Sequence, residues 1–273
     1  MANLLSIAES ECTRCGECAA VCPMAFVRIG PRGPRTLPDA EAKCMLCGHC
    51  VAACPVKSLQ HSRLPAEQCL PLAEGWRSEP GAVEQLIKGR RSIRRYQPQP
   101  VDRSILLSVL DVARYAPTGM NSQSVKWLVV YEAAAVKKLS GAVIDWMRSV
   151  QSRNELVAGK YNPAPLIGAW DAGHDPILRG CPHVLIAYGH ENDPMAQGSC
   201  IAALTTAELA AVPLGLGTCW AGFLHMATLL SPPVRQALGL PEGHVMHGGL
   251  MIGYPAETYY RIPQRKPLAV DWR

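Results

Sequence analysis

Cys12-Thr13-Arg14-Cys15-Gly16-Glu17-Cys18-Ala19-Ala20-Val21-Cys22-Pro23 is matched further along the chain by Cys44-Met45-Leu46-Cys47-Gly48-His49-Cys50-Val51-Ala52-Ala53-Cys54-Pro55. Each copy reads C-x-x-C-x-x-C-x-x-x-C-P, and an internal repeat of this kind implies two similar sites related by a pseudo-two-fold axis. The first three cysteines of each run lie on one tight loop. Gly16 and Gly48 lower the steric cost of wrapping that loop around a ligand. Pro23 and Pro55 lack an N–H and fix the turn that follows. Zinc takes four ligands in a tetrahedron, usually as two pairs, so a third cysteine at the next step, twice over, fits it poorly. Disulfides need an oxidising compartment, and the opening MANLLSIAESEC lacks the basic region of a signal peptide.

The spacing therefore points to two 4Fe–4S clusters held by thiolates. Over about residues 8–62 the chain resembles the bacterial-type two-cluster ferredoxins, with no ligand missing. In that pattern the fourth cysteine, which begins or rides on a short helix, closes the other cube. The resemblance implies one cluster on Cys12, Cys15, Cys18 and Cys54, and a second on Cys44, Cys47, Cys50 and Cys22. Cys69, Cys181, Cys200 and Cys219 have no ligand spacing and are expected as buried free thiols.

The chain has 273 residues, enough for one or two domains, so the cysteine module cannot be the whole protein. The formal charge is +5 with the cysteines counted as neutral. Two clusters at −2 each would bring it to about +1, which argues against a basic surface for nucleic acid. The long apolar stretch from Cys200 to Leu224 is interrupted by Thr205, Thr206, Glu208 and Pro213, so no membrane span is expected. A cytoplasmic protein is the simplest expectation.

In order along the chain, residues 24–43 hold Gly30, Pro31, Gly33, Pro34 and Pro38 and read as turns. Pro65, Pro71, Gly75 and Pro80 mark a linker, giving a ferredoxin-like domain over 1–63, a connector over 64–81 and a second domain over 82–273. Asp102 can cap a helix through Ala113. Trp127–Tyr131, His183–Tyr188 and Val245–Tyr254 are continuous apolar runs of strand type, with a further strand near Cys219. Ala133–Val150 and Asp193–Ala211 are helical, and Thr228–Leu238 is helical in pieces. Residues 151–180, with helix over Asn154–Lys160, form either a lid over a site or a surface loop. Strands alternating with helices make the class α/β or α+β.

Three pieces of the second domain belong together chemically. Arg90, Arg91, Ser92 and Arg94 offer guanidinium forks and a hydroxyl to a phosphate. Thr118, Asn121 and Gln123 offer neutral donors and acceptors. Gly215, Gly217 and Gly222 allow close backbone approach to a planar ring. The order Arg90-Arg-Ser-Ile-Arg-Arg-Tyr96, Ala116-Pro-Thr-Gly-Met-Asn-Ser-Gln123, Gly215-Leu-Gly-Thr-Cys-Trp-Ala-Gly222, Gly253-Tyr-Pro255 and Arg265-Lys-Pro267 resembles the nitroreductase family, over about residues 82–270. The resemblance implies an α+β class, a nitroreductase-like α/β sandwich that dimerises, with one FMN at each subunit interface. It assigns the phosphate, ribityl chain and ring edge to Arg90, Ser92 and Arg94, with Arg91 beside them, and a further phosphate contact to Arg265. Thr118, Asn121 and Gln123 match a loop that approaches the flavin, and Ala221 and Gly222 match backbone donors near the ring. Many members follow Asn-Ser-Gln with Pro-Trp; Ser124 and Val125 stand there in this chain.

These features together describe an iron–sulfur flavoprotein oxidoreductase. Electrons from an external low-potential donor would pass through two 4Fe–4S clusters to FMN, and on to a small conjugated acceptor such as a nitroaromatic or quinone. No side chain need act as a catalytic nucleophile, because the flavin carries the chemistry. The donor could be ferredoxin-like or NAD(P)H; no G-x-G-x-x-G follows a strand, but members of the family take hydride directly on the flavin. A non-enzymatic electron carrier or redox sensor is the alternative from another class.

Overall fold

The computed structural model describes residues 4–157 and 159–273. The chain separates into two compact units, one reaching to Ser78 and including Met120–Ser122, the other formed by Glu79–Gly119 and Gln123–Arg273.

The first unit repeats its backbone as well as its cysteines. Its elements are β1 (Leu5–Ile7), α1 (Glu17–Ala20), β2 (Val27–Gly30), β3 (Gly33–Thr36), α2 (Ala40–Lys43), α3 (His49–Ala52) and β4 (Leu59–His61). Gly16 and Gly48 precede α1 and α3 with φ of 89° and 72°, a left-handed conformation that costs a β-carbon-bearing residue strain. Arg14 and Leu46, then Ala25 and Lys57, also take positive φ at matching places. The third cysteine of each run, Cys18 or Cys50, rides on the short helix, and the fourth, Cys22 or Cys54, follows its end. This corrects the expectation that the fourth cysteine begins or sits on it. Residues 24–43 are also more than turns, because β2 and β3 pair as an antiparallel hairpin. β1 pairs antiparallel with β4, and Leu5, Val27 and Leu59 pack around Cys18 in a small core.

The second unit begins with α4 (Pro80–Gly89), whose first two residues fall within the expected connector, and α5 (Arg103–Ala113). β5 (Lys126–Val130), α6 (Ala133–Ser152), α7 (Ala164–Asp171), β6 (His183–His190) and α8 (Ala196–Ala211) follow. The chain ends in β7 (Gly217–Trp220), α9 (Gly222–Leu230), α10 (Pro232–Ala237) and β8 (His244–Gly253). The four strands form one antiparallel sheet in the order β5-β6-β8-β7. Both faces are covered, which is why β6 is apolar at consecutive positions and not only at alternate ones. Val184 and Ile186 face a core made with α6, α9 and α10; Leu185 and Ala187 face a second core made with α5 and α8. On α6, Val136, Leu139, Val143, Met147 and Val150 recur at helical spacing and are all buried. The molecule is therefore α+β, a helix–sheet–helix sandwich preceded by a small unit.

Residues 151–180 are partly ordered by α7, which the glycines and prolines around it had hidden. Helix over 154–160 is not observed: Val157 bridges Tyr161, and Ala158 lies outside the described residues. Of the four remaining cysteines, Cys181, Cys200 and Cys219 are buried and Cys69 is exposed, correcting the expectation for that thiol.

His183 ties strand edge to loop. Val101 N–H donates to its Nε2 at 2.8 Å, so the proton lies on Nδ1, which donates to Tyr131 O at 2.6 Å. Burial holds this imidazole below its ordinary pKa of 6.5, against smaller opposing contributions from the Tyr131 carbonyl and Glu132. Its neutral form is therefore present in both states above that value. Below it the unfolded chain takes the proton first, so stability is lost as pH falls. His183→Leu is expected to flatten this acid limb. It should also cost roughly 2–4 kcal/mol near neutrality, since Val101 N–H and Tyr131 O lose their partner. Denaturant unfolding across pH checks both.

Candidate functional site

The eight cysteines of the repeat surround two separate spaces. Cys12, Cys15, Cys18 and Cys54 line a cavity of about 340 Å³, and Cys22, Cys44, Cys47 and Cys50 line one of about 450 Å³. The fourth cysteine of each run thus faces the cavity of the other. Among the described residues no three His, Cys, Asp or Glu side chains gather tightly enough for one metal ion; a four-iron cube instead spreads its thiolates around a volume. Burial pushes the Cys50 thiol up to about 11, and the neighbouring Cys47, Cys44 and Cys22 add to the rise. Burial also raises Cys18, with Cys15 and Cys54 contributing. Cys54 goes the other way: burial opposes its thiolate, but the Ser58 hydroxyl and the backbone N–H groups of Leu59, Ser58 and Val56 outweigh it. An iron–sulfur cluster bound here would have to drive the protons off Cys18 and Cys50 against this burial.

In the second unit the arginine run is pinned to the sheet edge. Ile93 N–H donates to Thr218 O at 2.9 Å, and Ser92 forms a parallel bridge with Thr218. The approach is so close that a β-carbon on Gly217 would lie 2.4 Å from Ile93 Cγ1, so the glycine is required there. The run then diverges. Arg90 turns inward to Glu208, an acid buried on α8, at 3.4 Å. Glu208 also accepts from Thr218 Oγ1 at 3.3 Å and from Trp220 Nε1 at 2.9 Å. Arg91 folds back onto the carbonyls of Lys88 and Gly89 at the end of α4. Ser92 and Arg94 turn towards Cys219. Burial raises that thiol's pKa, while Arg94, a Ser92 hydrogen bond and Arg179 pull it down.

Arg94 and Arg179 together line two open cavities. One, of about 800 Å³, adds Tyr161, Trp220, Gly222 and Phe223; the other, of about 1310 Å³, adds Lys137, Trp170 and His174. Arg90 and Arg91 line a third with Gly217, Thr218 and Tyr259. Asp175, on the wall of the second of these, accepts from Ser140 Oγ and from the N–H groups of Ile177, Leu178 and Gly180, a turn that holds Arg179 in place. Cationic forks beside flat apolar walls suit a planar ligand with an anionic end.

Of the other expected residues, Gly222 lines the smaller of the two cavities shared by Arg94 and Arg179, while Thr118, Asn121, Gln123 and Arg265 are not on these walls. Thr118 Oγ1 accepts from Gln123 N–H at 3.0 Å and closes its own loop. Asn121 Nδ2 donates to the carbonyls of Met45 and Leu46, at 3.1 and 3.0 Å, in keeping with the grouping of residues 120–122 with the first unit. Ala221 N–H donates to Gly249 O at 2.8 Å, and Gly222 opens α9. Arg265 lies exposed on a C-terminal tail without helix or strand. Sequence reading missed Arg179 and Glu208. A lone acid in the apolar run of α8 was the available sign of the second.

Comparison with known proteins agrees with this architecture. The nitroreductase family model matches residues 87–254, and the 4Fe-4S dicluster domain model matches residues 11–58. An NADH dehydrogenase from Thermus thermophilus is 27% identical over 196 residues, covering 67% of this chain and 92% of its own. An iodotyrosine deiodinase from Thermotoga neapolitana is 25% identical over 190 residues, covering 66% and 92%. The FMN-bound crystal structure of a Bacteroides fragilis nitroreductase superposes with a TM-score of 0.54 at 24% identity, over 70% of this chain and 96% of that one, and so speaks to the fold. The chain belongs to the nitroreductase family and carries an N-terminal 4Fe–4S dicluster domain.

Glu208→Leu is expected to leave the Arg90 guanidinium and the Trp220 indole N–H without their shared acceptor, costing on the order of 3–5 kcal/mol. Glu208→Gln, which keeps an acceptor oxygen, should lose less. Equilibrium unfolding of the two variants tests the order.

Proposed function

We propose that the protein is an FMN-dependent iron–sulfur oxidoreductase that moves electrons from a low-potential donor, by way of two 4Fe–4S clusters and FMN, to a small conjugated acceptor such as a nitroaromatic or quinone. The observation that carries the reading is the sorting of eight cysteines into two crossed sets of four. In this reading residues 1–63 bear the clusters, 64–81 connect, and 82–273 bind the flavin.

FMN fits the residues present. Ser92, Arg94 and Arg179 converge beside Cys219 and Gly222, where Tyr161, Trp220 and Phe223 offer flat apolar surface. Arg90, fixed by Glu208, and Arg91 offer donors to a phosphate on the neighbouring wall. Bound flavin would supply the exchange between one-electron and two-electron transfer. The chain's own contribution is to hold the ring, to present positive charge at its edge and to gather the thiols into their two sets. Thr118, Asn121 and Gln123 belong to this proposal through a second copy of the chain, since in many family members the matching loop comes from the partner subunit, and Arg265 belongs to it as a further phosphate contact. Among the described residues no helix is long and apolar enough to cross a membrane, and a cytoplasmic homodimer is proposed. A nicotinamide donor is the second reading, favoured by the Thermus thermophilus relative named as an NADH dehydrogenase.

Anaerobically purified protein should contain about eight irons and eight acid-labile sulfides per chain. Its released flavin should run as FMN. NADH, NADPH and reduced ferredoxin, tried separately, should differ in how fast they bleach both chromophores. Zinc in place of iron, or FAD in place of FMN, overturns the assignment.

A further inference from the structure

Two buried polar side chains lie beside the thiols. Ser58 is 4% exposed and His61 is 3% exposed. They flank Leu59 and Gln60 in the segment that becomes β4, which is fixed against β1 by the pairs Leu5 with His61 and Ile7 with Leu59. Ser58 lines the cavity of Cys12, Cys15, Cys18 and Cys54, while His61 lines that of Cys22, Cys44, Cys47 and Cys50. Ser58 Oγ lies 3.7 Å from Cys54 Sγ, and His61 Nε2 lies 3.6 Å from Cys44 Sγ.

The direction of each bond follows from chemistry. The backbone N–H of Arg63 donates to His61 Nδ1 at 3.1 Å, so that nitrogen keeps its lone pair and the ring proton sits on Nε2, facing the sulfur. A thiolate that ligates iron has no proton to give, so the Ser58 hydroxyl must be the donor to Cys54. The Cys22 sulfur also receives the backbone N–H of Phe26 at 3.4 Å.

We propose that Ser58 and His61 each tune one cluster, Ser58 through Cys54 and His61 through Cys44, so that a single short strand sets the two reduction potentials separately. This rests on the two-cluster reading above. Reduction adds one negative charge to a cube and its thiolates. A donor aimed at a ligand sulfur binds the reduced form more strongly and raises its potential. Burial keeps water from replacing the lost donor when one is removed. A serine hydroxyl and an imidazole N–H differ in acidity and reach, so the two clusters need not share one potential.

The test is a redox titration of the anaerobically purified, cluster-loaded full-length protein, followed by electron paramagnetic resonance. Ser58→Ala and His61→Met should each lower one of the two cluster midpoints by about a tenfold change in the reduction equilibrium, or ~59 mV for a one-electron couple. The double variant should lower both, which establishes that the singles act on different clusters. His61→Gln, which keeps an N–H donor at similar reach, should return towards the wild-type value. The proposal is overturned if His61→Met leaves both midpoints in place, if the double variant moves only one, or if Gln behaves like Met. Should His61→Met fail to load iron, wild-type protein grown with nitrogen-15 histidine decides: the reduced clusters must show a nitrogen hyperfine coupling that His61→Gln abolishes. Iron and sulfide well below eight per wild-type chain would refute the two-cluster reading itself, independently of these residues.

Discussion

Each sulfur-lined space in the first unit takes three cysteines from one run and the fourth from the other. Neither half of the repeat can complete a site alone. Filling both sites therefore closes two long, interleaved loops, a strong restraint on a unit whose core comprises little more than Leu5, Val27 and Leu59 around Cys18. The matched positive-φ residues on either side of α1 and α3 exist to meet this demand, since they turn the chain sharply enough for three sulfurs to face one point. Burial raises the pKa of Cys18 and of Cys50, whereas hydrogen bonds lower that of Cys54, so the sulfurs around one space do not ionise alike.

The second unit solves a different problem. Its sheet is covered on both faces, and β7 forms an edge of it beside the arginine run. One buried carboxylate organises that edge. Glu208 joins Arg90, Thr218 and Trp220, so the arginine run, the strand and the indole are held in one arrangement. Arg90 is anchored to Glu208 and Arg91 is tied to α4, and both line the cavity beside Gly217, whereas Arg94, with Arg179 from a separate turn, lines two others. A run of arginines that reads as one cluster thus divides between separate walls. Successive side chains along an extended segment point to opposite faces, so adjacent members of the run find different partners.

Much was legible in the chain. The two sets of four cysteines, the α+β class, the strands read at Trp127–Tyr131, His183–Tyr188 and Val245–Tyr254, each within two residues of the observed ends, and the family resemblance all rest on spacing or on continuous apolar runs, which are local properties. The misses have local causes as well. α7 is flanked by glycine and proline, which read as breakers although Pro163 in fact starts the helix. β2 and β3 are short, and their Gly30, Gly33 and Pro34 obscured the hairpin.

By itself the sequence determined what this protein must hold, because ligand number and order are written in residue type and interval: eight thiols in two runs, a cationic segment, and glycines where the backbone has to come close. Only the tertiary structure decided which groups face one another. Arg179 meets Arg94 across a fold, Glu208 captures Arg90 from far along the chain, and His61 reaches Cys44 because β4 lies against β1. Those contacts depend on packing between distant segments, and no interval along the chain encodes the direction in which a side chain finally points.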